Sequence, residues 1–266
     1  MYTSLRRKLV AGWSPALGPQ GLRLNDNVSN LHHGTLQNFG SGLGWGTRRW
    51  LTFTNGQRVP CRHSNQINFD ITSRFSYSFW CLTSTTTNMA FLGKWDAASS
   101  ARGYYMLNGS TGGGNVRAFI QGGTGTNYIE VDGAINVCNG VPNHVLFTYN
   151  GSGVAAGCNV YINGVKDSLT TVQDTLSGTS QTTVDLTLGG RRADANSLAY
   201  TGKLTDILIW RRELTQREAV LLYSHGKGIN VAYVVADPAA RKSVEAAAGG
   251  LSIPIADYHY RHHGMI

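Results

Sequence analysis

Two groups of side chains in this 266-residue sequence have the types and spacing for work on sugars. Sugar recognition needs an aromatic ring to stack on a pyranose and polar neighbours for its hydroxyls. Lys94-Trp95-Asp96, Arg102 with Tyr104, and Arg191-Arg192 with Asp194 offer that mixture on expected loops or strand ends. The competing reading makes Trp95 and Tyr104 core aromatics of a strand pair. Retaining glycoside hydrolysis needs two carboxylates in separate roles, nucleophile and acid/base. Glu130-Val131-Asp132 has the spacing for one strand face, but neither Ala134 nor Ile135 beyond it is a carboxylate. The acid/base partner is therefore missing, and no catalytic residue is assigned. His259-x-x-His262-His263 could ligate a metal, yet it has no acidic or cysteine partner nearby and lies in a terminal segment. No metal is expected there.

Charge and cysteine usage narrow the classes further. The net charge of +8 is spread over separate doublets: Arg6-Arg7-Lys8, Arg48-Arg49, Arg191-Arg192, Arg211-Arg212 and Arg241-Lys242. A nucleic-acid site usually gathers its charge in one stripe, so nucleic acid is not the expected partner. Cys61, Cys81, Cys138 and Cys158 form no C-x-x-C pair, which argues against zinc and redox chemistry. Each lies within or beside an apolar run, where a reduced cysteine packs as a small hydrophobe. No stretch approaches membrane-spanning length. Leu9–Trp13 is too short for a signal-peptide core and runs straight into Ser14-Pro15. The expectation is synthesis in a reducing cytoplasm without a signal peptide.

The elements that must position these residues are strands. Asn143–Asn150 alternates, with Val145, Phe147 and Tyr149 on one face and Leu146 and Thr148 on the other. Tyr161-Ile162-Asn163-Gly164-Val165 predicts a two-residue hairpin, because both turn positions need positive φ. Leu204–Trp210 ends nearly all apolar, as a strand buried on both faces would. Phe75–Leu82 alternates aromatic against serine and predicts a half-buried strand. Phe91–Asp96 with Gly103–Leu107, and Asn115–Ile120 with Tyr128–Asp132, predict a meander, while Trp50–Cys61 predicts a hairpin. Thr215 and Glu218 have capping-box spacing for a helix through Tyr223.

The order and wording of Asn143-His144, Tyr149-Asn150, Tyr161-Ile162-Asn163-Gly164, Leu188-Gly189-Gly190 and Gly202-Lys203-Leu204-Thr205-Asp206 resemble the laminin-G-like, concanavalin A-like family. That resemblance implies an all-β, antiparallel jelly-roll β-sandwich with a short closing helix and N- and C-terminal extensions. The expected division is an N-terminal arm at 1–48, the sandwich at 49–226, and a C-terminal arm with a short helix at 227–266. Jelly-roll glucanases of this fold carry a third carboxylate after Glu-x-Asp, which this chain lacks. Many relatives bind calcium at the sandwich rim. Here the usual aspartate near Asn55 is absent, and Asp206 is the remaining candidate, a thin set for an ion that needs six or more oxygens.

Asn30–Phe39 matches the family's Asn-His-Gly-Thr-Leu segment, which implies structural roles for His32 and His33; His144 reads as a packing histidine. Ser4–Val10, Trp13–Gly18 and Gly21–Asp26 resemble leaders of such proteins encoded by tailed phages and prophages. The resemblance implies a non-catalytic virion surface protein, a capsid decoration or attachment protein. It would form a homo-oligomer, grip neighbouring capsid proteins through its terminal arms, and bind cell-surface glycans as a second role. The alternatives are a free-standing carbohydrate-binding adhesion module and, disfavoured, a jelly-roll glycoside hydrolase.

Overall fold

The alternation in Asn143–Tyr149 places this strand between two apolar layers. Val145, Phe147 and Tyr149 enter the main core, while Leu146 enters a second cluster on the far side of its sheet. The computed structural model describes residues 3–15, 21–40, 50–54, 56–96, 100–109, 113–192 and 198–224. In chain order the strands are β1 (Leu9–Trp13), β2 (Arg23–Leu24), β3 (Gly34–Thr35), β4 (Leu51–Phe53), β5 (Val59–Cys61), β6 (Phe75–Leu82), β7 (Met89–Asp96) and β8 (Arg102–Asn108). They continue as β9 (Asn115–Gly122), β10 (Tyr128–Asn136), β11 (Asn143–Tyr149), β12 (Cys158–Ile162), β13 (Val165–Lys166), β14 (Leu169–Asp174), β15 (Leu186–Leu188) and β16 (Gly202–Trp210). Two helices, α1 (Thr3–Arg6) and α2 (Gln216–Tyr223), flank them.

The described strands form two antiparallel sheets. One has seven strands in the order β1-β16-β6-β11-β12-β13, with β4 also paired to β16. The other has nine, in the order β14-β10-β9-β8-β7-β15-β5-β3-β2. Between them lie Phe75, Tyr77, Phe79, Phe147 and Tyr149 from one sheet and Phe91, Tyr104, Met106, Ile120 and Val131 from the other. Burying each such side chain contributes about 1.5–3 kcal/mol, so this layer dominates the stability.

Local chemistry sets several features as expected. Asn163 and Gly164 have φ of 53° and 78°, and Ile162 pairs with Val165 across the turn. Thr215 and Glu218 form the reciprocal capping box at the start of α2, which ends on left-handed Ser224.

Other expectations are corrected. Phe75–Leu82 is buried on both faces rather than one. The Ser76 hydroxyl donates to Arg212 O at 2.8 Å and accepts from Leu214 N at 3.0 Å, so the serines face a covered surface instead of water. Trp50–Cys61 is not a hairpin: β4 joins β16 in one sheet, and β5 joins β15 in the other.

Nor do residues 1–48, where described, stand outside the sandwich. β1 extends the seven-stranded sheet beside β16, β2 and β3 extend the other, and Trp13, Leu24, Leu36 and Phe39 lie in the core. The short β1 repeat is masked in the sequence by turn formers around it; its partner edge exists only once β16 is placed. The expected arm at 227–266, with His259, His262 and His263, lies outside the described residues, as does Asn55.

Candidate functional site

The outer face of the nine-stranded sheet is built by strict alternation. Ile120, Ile129 and Val131 point into the core, so Phe119, Tyr128, Glu130 and Asp132 fall on the opposite side. Register then aligns them in rows. Tyr105 lies opposite Phe119, and Phe119 opposite Glu130; Leu107 lies opposite Arg117, and Arg117 opposite Asp132. Trp95 is level with Gly103, which is level with Gln121, and the Trp95 Nε1 donates to Gln121 Oε1 at 2.8 Å across that bare glycine.

The residues form a continuous aromatic band. Tyr105 and Phe119 stack with centroids 4.4 Å apart and planes 14° apart. Trp95 meets Tyr105 edge-on at 5.9 Å, and Tyr128 lies 6.2 Å from Phe119. After β15 the chain crosses this face at Gly93, where a Cβ would come 2.3 Å from Arg191 O. Any larger residue there would push the crossing segment away. That crossing sets the Arg191 guanidinium 3.9 Å from the Trp95 ring centre and 5.5 Å from that of Tyr105, within cation–π range. Burial raises the Tyr105 hydroxyl pKa, with Arg191 acting in the opposite sense. Trp95, Arg117, Tyr128, Asp132 and Arg191 remain part-exposed.

At the other end of the band Arg117 bonds Glu130 and reaches Asp132 Oδ1 at 2.9 Å. One guanidinium thus lies against both carboxylates. They form an ion-paired set, not a nucleophile and a proton donor flanking an open cleft. Tyr105 and Phe119 are themselves buried, so within the band the accessible ring surface is that of Trp95 and Tyr128, beside the part-exposed Arg191, Arg117 and Asp132. Ring edge, positive charge and hydrogen-bonding groups together suit contact with a polyhydroxylated ligand.

The sequence-predicted residues divide. Trp95 and Arg191 meet on this face. Asp96 lies opposite Arg102 at the adjoining strand ends and accepts from Ser100 Oγ at 3.2 Å, and Arg192 follows Arg191, part-exposed. Tyr104 is corrected: it turns into the core, 2% exposed, and its hydroxyl donates to Ile67 O at 2.9 Å. Asp194 lies outside the described residues. Tyr105, Phe119, Gln121 and Tyr128 were missed; the alternating pattern of β8 and β9 held the signal, but with aromatics at both Tyr104 and Tyr105 it had no direction.

Asp206 does not fit calcium. It sits at a bulge of β16 with φ of 46°, and accepts from Ser14 Oγ at 2.5 Å. Among the described residues no three His, Cys, Asp or Glu side chains converge to hold a metal. His144 is 2% exposed against Trp80, and burial lowers its pKa to about 3, the behaviour of a packing histidine.

A second polar cluster lies at the turn after β5. Lys94, next to Trp95 but on the opposite face, is fully buried; its Nζ donates to Thr182 O at 2.8 Å, to Val184 O, and to His63 Nδ1 at 3.0 Å. Burial lowers the Lys94 pKa to about 8, and three acceptors match its three donors. Beside it, Asp26, His32 and Ser64 form a hydrogen-bonded line.

Residues 53–219 match the Laminin_G_3 family, described as the concanavalin A-like lectin/glucanases superfamily. The chain belongs to that superfamily. Solved structures with the same sandwich include the binding domain of Paraclostridial Mosquitocidal Protein 1 (16% identity, TM-score 0.59, covering 84% of this chain and 53% of that one). The botulinum neurotoxin serotype D binding domain is similar at 14% identity and TM-score 0.61, covering 85% and 53%. The chain thus spans about half the length of these toxin domains. Domain 4 of an extracellular arabinanase from Geobacillus stearothermophilus, solved with arabinotriose, matches at 21% identity and TM-score 0.52, covering 80% of this chain and 97% of that one. No curated protein matches the sequence. A Trypanosoma rangeli sialidase is also similar in fold, at 13% identity and TM-score 0.56, covering 84% of this chain and 33% of that one.

Proposed function

We propose that this superfamily member is a non-catalytic carbohydrate-binding module and that the outer face of its nine-stranded sheet holds the glycan. The observation that carries the reading is Arg191 fixed over Trp95 and Tyr105, beside the stacked pair of Tyr105 and Phe119. The part-exposed rings of Trp95 and Tyr128 can stack on the apolar face of a sugar ring, and the part-exposed Arg191, Asp96 and Arg102 can supply polar contacts to hydroxyls. The arabinotriose bound to the arabinanase domain makes arabino-oligosaccharides a reasonable first panel, alongside cell-surface glycans. Calorimetric titration tests this: Trp95→Ala and Arg191→Ala should each abolish measurable binding, while Tyr104→Phe should leave it intact. Unchanged affinity in both variants would move the site elsewhere.

A finer reading places the protein on the surface of a phage particle, as a capsid decoration or attachment protein that self-associates. Its support is the leader resemblance in Ser4–Asp26 alone. Because the described leader is built into its own sandwich, gripping neighbours would fall to residues 227–266, which hold Ile229, Val231, Val234, Val235, Ile253 and Ile255. Mass spectrometry of purified particles tests it; the protein should appear at a fixed copy number.

A further inference from the structure

Strand order gathers at one end of the seven-stranded sheet the positive charge that the sequence scatters over separate doublets. Leu9, Trp210 and Ser76 lie in one row across β1, β16 and β6. One position beyond that row stand Lys8 and Arg211, and two positions beyond it stand Arg7, Arg212 and Arg74. Neighbouring strands lie about 4.8 Å apart, so the three segments present their cations side by side.

The backbone that carries them is fixed. Lys8 O accepts from Arg211 N at 2.9 Å, and Arg212 donates to Arg7 O at 2.8 Å and Ser4 O at 2.7 Å. The side chains of Arg7, Lys8 and Arg74 are exposed, and among the described residues none of the three has an ion-pair partner. Arg211 lies over the Phe69 ring and donates to Asn65 O at 2.7 Å and Gln66 O at 2.9 Å, carbonyls that leave its charge uncancelled. Arg7, Lys8, Arg74, Arg211 and Arg212 outnumber Asp70, Glu213 and Glu218 around them, and Glu218 is taken up by Arg212. Like charges on adjacent strands repel, and the described fold makes no use of the Arg7, Lys8 and Arg74 head groups.

The surroundings select among anionic partners. A protein interface needs an apolar or aromatic centre, whereas the exposed large hydrophobics, such as Leu31, Val165 and Val172, lie on other segments. Duplex nucleic acid is read by an element that enters a groove, and single strands stack on exposed rings. Here α1 is four residues long with Leu5 packed against the sheet, and Phe69, Phe75 and Trp210 are buried. What remains is a row of charges without apolar surface.

We propose that this end of the sandwich is a second carbohydrate site, for a linear acidic polysaccharide whose carboxylate or sulfate groups pair with Arg7, Lys8, Arg74 and Arg211. Guanidinium forks bind such oxyanions through paired hydrogen bonds. The Trp95 face belongs to the other sheet, and the two sites act independently.

Calorimetric titration of the full chain with polygalacturonate and with dextran sulfate tests this, the two arms separating carboxylate from sulfate recognition. Uncharged dextran should not bind here, and affinity should fall as added salt screens the charges. Arg7→Gln, Lys8→Gln and Arg74→Gln combined should weaken binding roughly 10-fold, the sum of three exposed ion contacts, without lowering the melting temperature. A control combining Arg23→Gln, Lys166→Gln and Lys203→Gln carries the same net charge and should bind like the parent. Trp95→Ala should also leave this binding intact, so failure of one site is read separately from failure of the other. The proposal is overturned if neither polymer binds, or if the control loses as much affinity as the Arg7, Lys8 and Arg74 variant. It is equally overturned if polyglutamate or single-stranded DNA binds more tightly than both polysaccharides.

Discussion

The two sheets differ in what covers their outer faces. On the seven-stranded sheet Leu146, Tyr161, Leu208 and Trp210 are roofed by Leu5, Leu214, Ala219 and Leu222. Polar contacts lock the roof in place. Trp210 Nε1 donates to Leu5 O at 2.7 Å, and Arg212 donates to Ser4 O and Glu218 Oε1, each at 2.7 Å. On the nine-stranded sheet the equivalent surface carries a row of rings and the ion pairs of Arg117 with Glu130 and Asp132, and the described chain covers it where Arg191 crosses Gly93 and Leu198 packs beside Ala90. A covered face contributes to stability; aromatic surface left part-exposed beside fixed charge is suited to a ligand. Mutations should separate the two faces by which property they change.

The strongest test of the covered face is removal of residues 1–48. The cut takes away β1, β2, β3 and the core side chains Trp13, Leu24, Leu36 and Phe39, about 6–12 kcal/mol together, a loss as large as the usual margin of a domain. Residues 49–226 alone should therefore fail to give a cooperative melt; a stable fragment would return the leader to the role of an arm. Next in size is Arg212→Ala. It leaves the nearly buried Glu218 carboxylate without its ion-pair partner, and should cost about 3–5 kcal/mol in denaturant unfolding.

Acid should weaken the same face. Burial lowers His144 from 6.5 to about 3, so below pH 6.5 the unfolded chain binds a proton that the folded chain refuses. Burial raises the Glu218 pKa, but hydrogen bonds from Arg212 and Thr215 outweigh it and bring the value from 4.5 down to about 2. Stability from Glu218 is thus present above pH 4.5 and lost as pH falls toward 2. Each group can contribute at most roughly 1.4 kcal/mol per pH unit within its window. The melting temperature should fall from pH 6.5 downward, more steeply below 4.5, and the second loss should be smaller in Glu218→Gln. A remainder comes from Asp26, where burial raises the carboxylate pKa but hydrogen bonds hold it below its usual value.

Gly164→Val is a smaller perturbation. It places a β-branched residue at φ of 78°, with its Cβ 3.2 Å from Val220 Cα, and should cost about 1–2 kcal/mol. An unchanged melt would show that the turn relaxes. Smallest in stability is Trp95→Ala, because the ring is part-exposed; a loss of about 1 kcal/mol or less is expected, the scale of the aromatic contacts removed. Its effect on glycan affinity should nevertheless be complete. A large stability loss would make Trp95 part of the scaffold and remove the contrast between the faces.

Elements governed by neighbours in sequence were legible from the chain itself. The face assignment of Val145, Phe147 and Tyr149 follows from a period of two, Asn163-Gly164 from the demand for positive φ, and α2 from reciprocal capping by Thr215 and Glu218. β14 gave little signal because it is an edge strand with mostly exposed side chains. Direction was decided elsewhere. Tyr104 and Tyr105 are adjacent aromatics in β8, and only packing against Ile67 and Phe69 turned the first inward and left the second on the outer face.

The same holds for the leader and the polar line at Ser64. Leu9–Trp13 becomes a strand because the edge of β16 is there to pair with it, an edge supplied by residues about two hundred positions later. His32 and Ser64 lie 32 positions apart, and the pairing of β3 with β5 brings their neighbourhoods together. Local turn chemistry and hydrophobic period thus determined most of the strands and the Asn163-Gly164 reversal, but not β1 or the path from β4 to β5. The order of strands in each sheet decided which side chains meet, because that order depends on distant segments competing for the same edges and the same buried surface.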